Sequence, residues 1–331
     1  LKDIFFSDLK IKPNKILNGK SVNAVEKISD ILIKTDEIIK KFKPDAFLVL
    51  GDTNSALSSI SAKKNKIPIF HIEAGNRCFN QIVPEEINRK IVDHISDINL
   101  VYSDFARANL IREGISPDQI FKVGSPLYEV INFYKQDLKI DSYLKKNNLK
   151  KNQFILVSFH RDENIGNKEI LNEFWSILTS LEKKFKIPIL VSTHPRLRER
   201  LLKSNIKNNK NIIFSKPFSF KEYISLQISS KFIISDSGSI SEEAAILKVP
   251  AISLRQEIER QEGMDETLII MSDIEKNELL SSVDVLLKTH SSNFPINLND
   301  YNVKNVSDKV ARIIRSYISF INRKVWKKKI R

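Results

Sequence analysis

Three carboxylates stand where the pattern of the chain says that strands end. The apolar run Ala46 to Leu50 leads into Gly51-Asp52-Thr53, and the run Ile67 to Ile72 leads into Glu73-Ala74-Gly75. Pro84-Glu85-Glu86-Ile87-Asn88-Arg89 then heads a helical stretch. In a parallel α/β sheet, ligands bind outside the carboxyl ends of the strands, so Asp52, Glu73 and Glu85 are expected to meet in one crevice. Carboxylates placed where buried parallel strands end are where an α/β protein keeps its chemistry. Each also has a plainer reading. An aspartate after a strand is often a helix cap, and Glu85 favours a helix start.

A second constellation lies further along. Phe232 to Ser235 reads as a strand, Asp236-Ser237-Gly238-Ser239 as a tight turn and Ile240 to Leu247 as a helix. The first N–H groups of a helix are unpaired and its dipole is positive there, so a phosphate fits, with Ser237 and Ser239 adding hydroxyls. A simply capped helix explains the same residues, since Ser and Asp cap well. His160 follows the strand-like run Phe154 to Phe159 and is followed at once by Arg161; His194, in Ser-Thr-His-Pro, also follows a strand. No His-x-x-x-His or comparable ligand spacing occurs, so no metal site is expected.

The elements that must position these groups alternate. Runs at 46–50, 67–72, 98–102 and 120–123 read as strands of a first half, with a helix starting behind Ser103 and stopping at Gly114. Runs at 154–159, 187–191, 212–214, 232–235, 251–254 and 268–271 read as strands of a second half. A final helix from about Val303 carries Val306, Val310, Ile313, Ile314 and Tyr317 at helical spacing. Such alternation predicts βα units and parallel sheets, and 331 residues favour two domains over one. Only eight glycines occur, so Gly51, Gly75, Gly124 and Gly238, all at strand ends, mark tight turns.

With 41% hydrophobic and 28% charged residues the composition is that of a globular protein, and no apolar run is long enough to span a membrane. No charged-then-apolar leader opens the chain, which points to the cytoplasm. The single cysteine, Cys78, excludes an internal disulfide. The formal charge of +14 reflects lysine spread throughout, not a nucleic-acid patch. The tail Asn322 to Arg331, with six basic residues in ten around Trp326, reads as a solvated helix end or a contact for an anionic surface.

Gly-Asp-Thr, His-Ile-Glu-Ala-Gly and Val-Pro-Glu-Glu-Ile-Asn-Arg, in that order, resemble the non-hydrolysing UDP-N-acetylglucosamine 2-epimerase family, from Asp3 to about Ile321. The resemblance implies two Rossmann-like, doubly wound parallel-sheet domains with an interdomain cleft, in the manner of the glycosyltransferase-B fold. The first would span residues 1–149, joined by the helix 303–331; the second, 150–302, would bind UDP. Asp52, Glu73, Glu85 and His160 would be catalytic. The 237–239 turn (Ser237, Gly238, Ser239) would hold the diphosphate, Glu243 the ribose hydroxyls and Tyr223 the uracil face. Arg161, His194 and Arg260 would complete substrate binding. Gln261 departs from the family's usual proline, and one family variant has a second glycine where Ser239 stands.

The family implies elimination and re-addition of UDP at a UDP-amino sugar, with no cofactor or metal and a homodimeric assembly, and without nucleic-acid binding or stable membrane insertion. Gly75-Asn76-Arg77-Cys78-Phe79-Asn80-Gln81 and Arg255-Gln256 look like the branch that forms UDP-N-acetyl-L-fucosamine from UDP-2-acetamido-2,6-dideoxy-L-talose for capsule or O-antigen synthesis. The chain opens at Leu1, beyond the family's first strand and its glycine turn carrying Arg and Lys, so the resemblance also implies an N-terminal truncation, with little turnover but retained UDP affinity. Four other readings stay open. The resemblance also fits UDP-N-acetylglucosamine 2-epimerase proper, forming UDP-N-acetylmannosamine; a glycosyltransferase-B-type UDP-sugar transferase shares the fold, a hydrolysing epimerase shares the residues, and a remnant would bind UDP without turnover.

Overall fold

All ten expected strands form, in two wholly parallel sheets of four and six strands. The computed structural model describes residues 2–17, 23–159, 166–193, 209–255, 257–290 and 299–328. His160, Arg161 and His194 lie outside them. The chain divides into two compact units, one of residues 13–129, 259–262 and 299–331, the other of 1–12, 130–258 and 263–298.

The four-stranded unit holds β1 (Phe47–Leu50), β2 (Ile69–Ile72), β3 (Ile98–Val101) and β4 (Ile120–Lys122), in that spatial order. β2 and β3 are buried at every position, as central parallel strands covered on both faces must be. Register aligns their ends: Leu50 pairs with Ile72, and Ile72 with Leu100. Gly51-Asp52 and Glu73-Ala74-Gly75 therefore emerge side by side. On one face Phe70, Ile72, Ile98 and Leu100 pack against Val306, Val310 and Ile321 of the Val306–Lys324 helix. Full burial of each such side chain contributes roughly 1.5–3 kcal/mol. The other face packs Val49 and Ile69 against Ile39, Leu57 and Val92.

The basic tail is not simply solvated. Trp326 packs against that core with Lys63 Nζ 5.1 Å from its ring centroid, and Lys328 donates to the Lys66 carbonyl at 2.6 Å. The helix behind Ser103 spans Asp104–Arg112; Ser103 Oγ accepts from Ala106 N, and Gly114 has φ +87°.

The six-stranded unit holds β5 (Ile155–Phe159), β6 (Ile189–Thr193), β7 (Ile212–Ser215), β8 (Phe232–Ser235), β9 (Ala251–Ser253) and β10 (Ile270–Met271). Their order is β10-β9-β8-β5-β6-β7, which winds outward from the centre in both directions. This is the Rossmann order, and its switch point lies between β5 and β8. The sheet packs Val157, Phe159 and Ile234 against Phe174, Leu178 and Val283 from the Lys168–Phe185 and Lys276–Thr289 helices. Among the described residues no helix is long and apolar enough to cross a membrane.

Candidate active site

Asp52 and Glu73 come together at the carboxyl ends of β1 and β2. A methyl group placed on Gly51 would sit 3.4 Å from Glu73 Oε2, so the Glu73 carboxylate lies over the turn that carries Asp52. Each of the two carboxylates has its own arginine. Arg89 donates to Asp52 Oδ2 from Nε and Nη2 at 3.0 and 2.6 Å, and Arg260 Nη2 donates to Glu73 Oε1 at 2.7 Å. Glu73 has φ +69°, a left-handed backbone that costs a non-glycine residue about 1–3 kcal/mol. Gly75, at φ +81°, has no room for a side chain, because a Cβ there would stand 2.4 Å from the Ala106 carbonyl oxygen.

The Pro84–Ile95 helix supplies the frame. Its Asn88 donates to the Asp52 carbonyl at 2.9 Å, and Arg89, buried, also meets Glu86 at 3.0 Å and Glu259 at 3.2 Å. Burial opposes the guanidinium charge, but Asp52, Glu259 and Glu86 outweigh it and raise the Arg89 pKa. Glu85 is half-buried in the first turn. Residues three and four apart share a helix face, so Glu85 lies on the side of Asn88 and Arg89 that faces Asp52. Its neighbour Glu86 is the fully buried one, accepting from the backbone N–H groups of Cys78 and Phe79 at 3.1 and 3.2 Å. Burial and Glu86 push the Cys78 thiol up, which keeps it a poor nucleophile. Glu262 fastens the segment carrying Glu259 and Arg260, accepting from Ser103 Oγ at 3.1 Å and Tyr301 Oη at 2.8 Å.

In the six-stranded unit, the carboxyl ends of β5 and β8 flank the switch point. Ser158 pairs with Ser235, and Asp236 N–H donates to the Ser158 carbonyl at 3.1 Å. His160 follows β5 in the chain, and Asp236-Ser237-Gly238-Ser239 follows β8 into the Ile240–Leu247 helix. Ser239 occupies the N-cap position without making a side-chain cap bond. Its hydroxyl donates to Glu243 Oε1 at 2.7 Å and sits 3.0 Å from Ser237 Oγ. Gln227 Nε2 donates to the other Glu243 oxygen. Tyr223 is half-buried: its hydroxyl is shielded from solvent, without a hydrogen-bond partner among the described residues, while part of the side chain remains exposed. Burial and then Glu243 push that hydroxyl well above the usual tyrosine range.

Sequence reasoning missed the groups beneath the site: His71, Arg77, Glu86, Arg89 and Asp93. The Glu86–Arg89 pair carried a signal, an acid and a base three apart on one helix face. So did His71, a polar residue inside the apolar run Ile69-Phe70-His71-Ile72. Nothing local marked its partner Asp93.

A switch-point turn at a helix start and carboxylates at the ends of neighbouring strands stand in an α/β chain of two parallel sheets, the architecture of an enzyme with its site at strand ends. The family described as UDP-N-acetylglucosamine 2-epimerase matches residues 1–315. A solved UDP-N-acetylglucosamine 2-epimerase from Rickettsia bellii is 43% identical at a TM-score of 0.92, over 99% of this chain and 88% of that one. The Methanocaldococcus jannaschii UDP-GlcNAc 2-epimerase, solved with UDP-GlcNAc and UDP, is 32% identical at a TM-score of 0.85, over 95% and 88% of the two chains. A Pseudomonas aeruginosa UDP-2,3-diacetamido-2,3-dideoxy-D-glucuronate 2-epimerase is 32% identical over 263 residues, covering 78% of this chain and 72% of the relative. The chain belongs to the UDP-N-acetylglucosamine 2-epimerase family, and as a UDP-sugar 2-epimerase it is an isomerase.

Proposed function

We propose that the protein inverts C2 of a UDP-linked N-acetylamino sugar by eliminating and re-adding UDP. The observation that carries this is the pair Asp52 and Glu73, adjacent at two strand ends and each held by its own arginine. The C2 hydrogen lies beside an acetamido nitrogen, not a carbonyl, and is not acidic. A base removes it as the C1–O bond breaks, and UDP leaves with that electron pair. Return of UDP, with a proton delivered to the opposite face of C2, completes the inversion. Asp52, Glu73 and Glu85 serve as the groups that take and return the proton. His160, Arg161, Arg260 and the 237–239 turn meet the charge on the departing diphosphate. Glu243, whose carboxylate already accepts from Ser239 and Gln227, takes the ribose hydroxyls, which as donors suit an acceptor-only carboxylate. Tyr223 offers a face of its half-buried ring to uracil, and His194 adds to substrate binding.

The substrate we favour is UDP-2-acetamido-2,6-dideoxy-L-talose, giving UDP-N-acetyl-L-fucosamine for capsule or O-antigen synthesis, on the strength of residues 75–81 and 255–256. The second reading, UDP-N-acetylglucosamine to UDP-N-acetylmannosamine, is favoured by the names of the Rickettsia and Methanocaldococcus relatives. Incubation with each sugar in deuterated water, followed by NMR, separates them. The right substrate gains deuterium at C2 and at no other ring carbon. Free UDP accumulating with unbound sugar would identify a hydrolysing enzyme, and inversion with C2 still protonated would sink the elimination.

A further inference from the structure

We infer that Asp93, acting through the ring of His71, is the positioning residue that sets Asp52 against Glu73. This rests on the reading of those two carboxylates as the proton-transferring groups. Asp93 and His71 are both fully buried, at 0% side-chain exposure. The Asp93 carboxylate gathers three groups, one from β2 and two from the loop after it. His71 Nδ1 lies 2.8 Å from Oδ1, the Gly75 N–H donates to Oδ2 at 3.2 Å, and Arg77 Nη1 donates to Oδ2 at 2.7 Å. Arg77 is held from its far side by Glu113, at 2.8 and 2.5 Å.

His71 and Gly75 stand two residues before and two after Glu73. One carboxylate therefore braces both sides of the left-handed Glu73 backbone. The ring carries the brace onward: His71 Nε2 lies 2.9 Å from the carbonyl oxygen of Gly51, the residue before Asp52. A carboxylate and a carbonyl oxygen only accept. Both bonds are made only when each ring nitrogen carries a hydrogen. The ring then fixes the Gly51–Asp52 peptide, which glycine at φ +73° would otherwise leave free to turn. Asp93 touches neither carboxylate, so its effect on proton transfer is through their placement, where an error of about 1 Å costs about 100-fold in rate.

The test pairs Asp93→Asn with the wild-type chain. An asparagine fills the same space but offers one acceptor oxygen where two served three donors. We expect kcat to fall about 100-fold with KM and UDP affinity within threefold. The kinetic isotope effect of C2-deuterated substrate should also grow, because proton transfer becomes rate-limiting. A core residue of purely structural importance would lower the folded fraction and leave the isotope effect where it was, and that outcome overturns the inference. Ring ¹⁵N–¹H spectra of wild-type His71 decide it independently of turnover and of whether the variant folds. Two N–H signals are expected, and a single one would break the link to Asp93 or to Gly51 and with it the brace. A wild-type chain that shows both N–H signals but exchanges no C2 hydrogen would overturn the proposed function and leave the brace in place.

Discussion

Arg89 holds Asp52, Glu86 and Glu259 at once, with 2% of its own side chain exposed. Taking one cation from a buried ionic cluster is far more costly than never building the cluster, because the remaining charges lose their compensation. Arg89→Met should therefore cost about 3–5 kcal/mol, read as a lowered urea midpoint at unchanged slope. A loss below about 1 kcal/mol would place the cluster among weak surface ion pairs. Asp52 and Glu73 were legible in the sequence because each follows an apolar run, whereas Arg260 came only from the family resemblance. Arg89 was visible only as part of a motif, and its three partners are the product of folding.

At the scale of elements, the Asp104–Arg112 helix is tied to the loop after β2 by Arg77 and Glu113. The Arg77 bond holds the Glu113 carboxyl below its usual range, against a smaller opposing effect of burial. A carboxyl with a lowered folded pKa contributes stability above its unfolded pKa and loses it as pH falls through the folded value. Glu113→Gln should thus cost about 1–2 kcal/mol near pH 7, with the difference shrinking as pH falls below the ordinary glutamate range. Urea midpoints of both proteins between pH 7 and pH 3 check this. A gap that stays constant with pH would mean that the contact is not electrostatic. Element positions themselves were readable, since caps such as Ser103 and apolar runs such as Ile155–Phe159 are local features.

At the scale of the molecule, the net charge of +14 favours encounter with an anionic diphosphate. We expect kcat/KM to fall several-fold as the screening length drops from roughly 30 Å at 0.01 M salt to about 8 Å at 0.15 M, with kcat little changed. Steady-state kinetics across that range decide it, and a flat kcat/KM would show that the positive field does not reach the site. Among the described residues β1 stands at one end of its sheet, with Leu48 and Leu50 49% and 58% exposed.

By itself the sequence determined the ten strands, the parallel α/β class and the order of the site motifs along the chain. Hydrophobic periodicity, caps and turn residues act over a few residues and can be read there. The tertiary structure decided which of those residues meet. It set β5 beside β8, so that a switch point opens beside Ser237 and Ser239. It brought Arg260 to Glu73 across 187 residues and Asp93 to His71 across 22. Such pairings depend on strand order, register and the path of each loop. No local pattern encodes them, because a charge finds its partner only after the apolar surfaces on either side have packed.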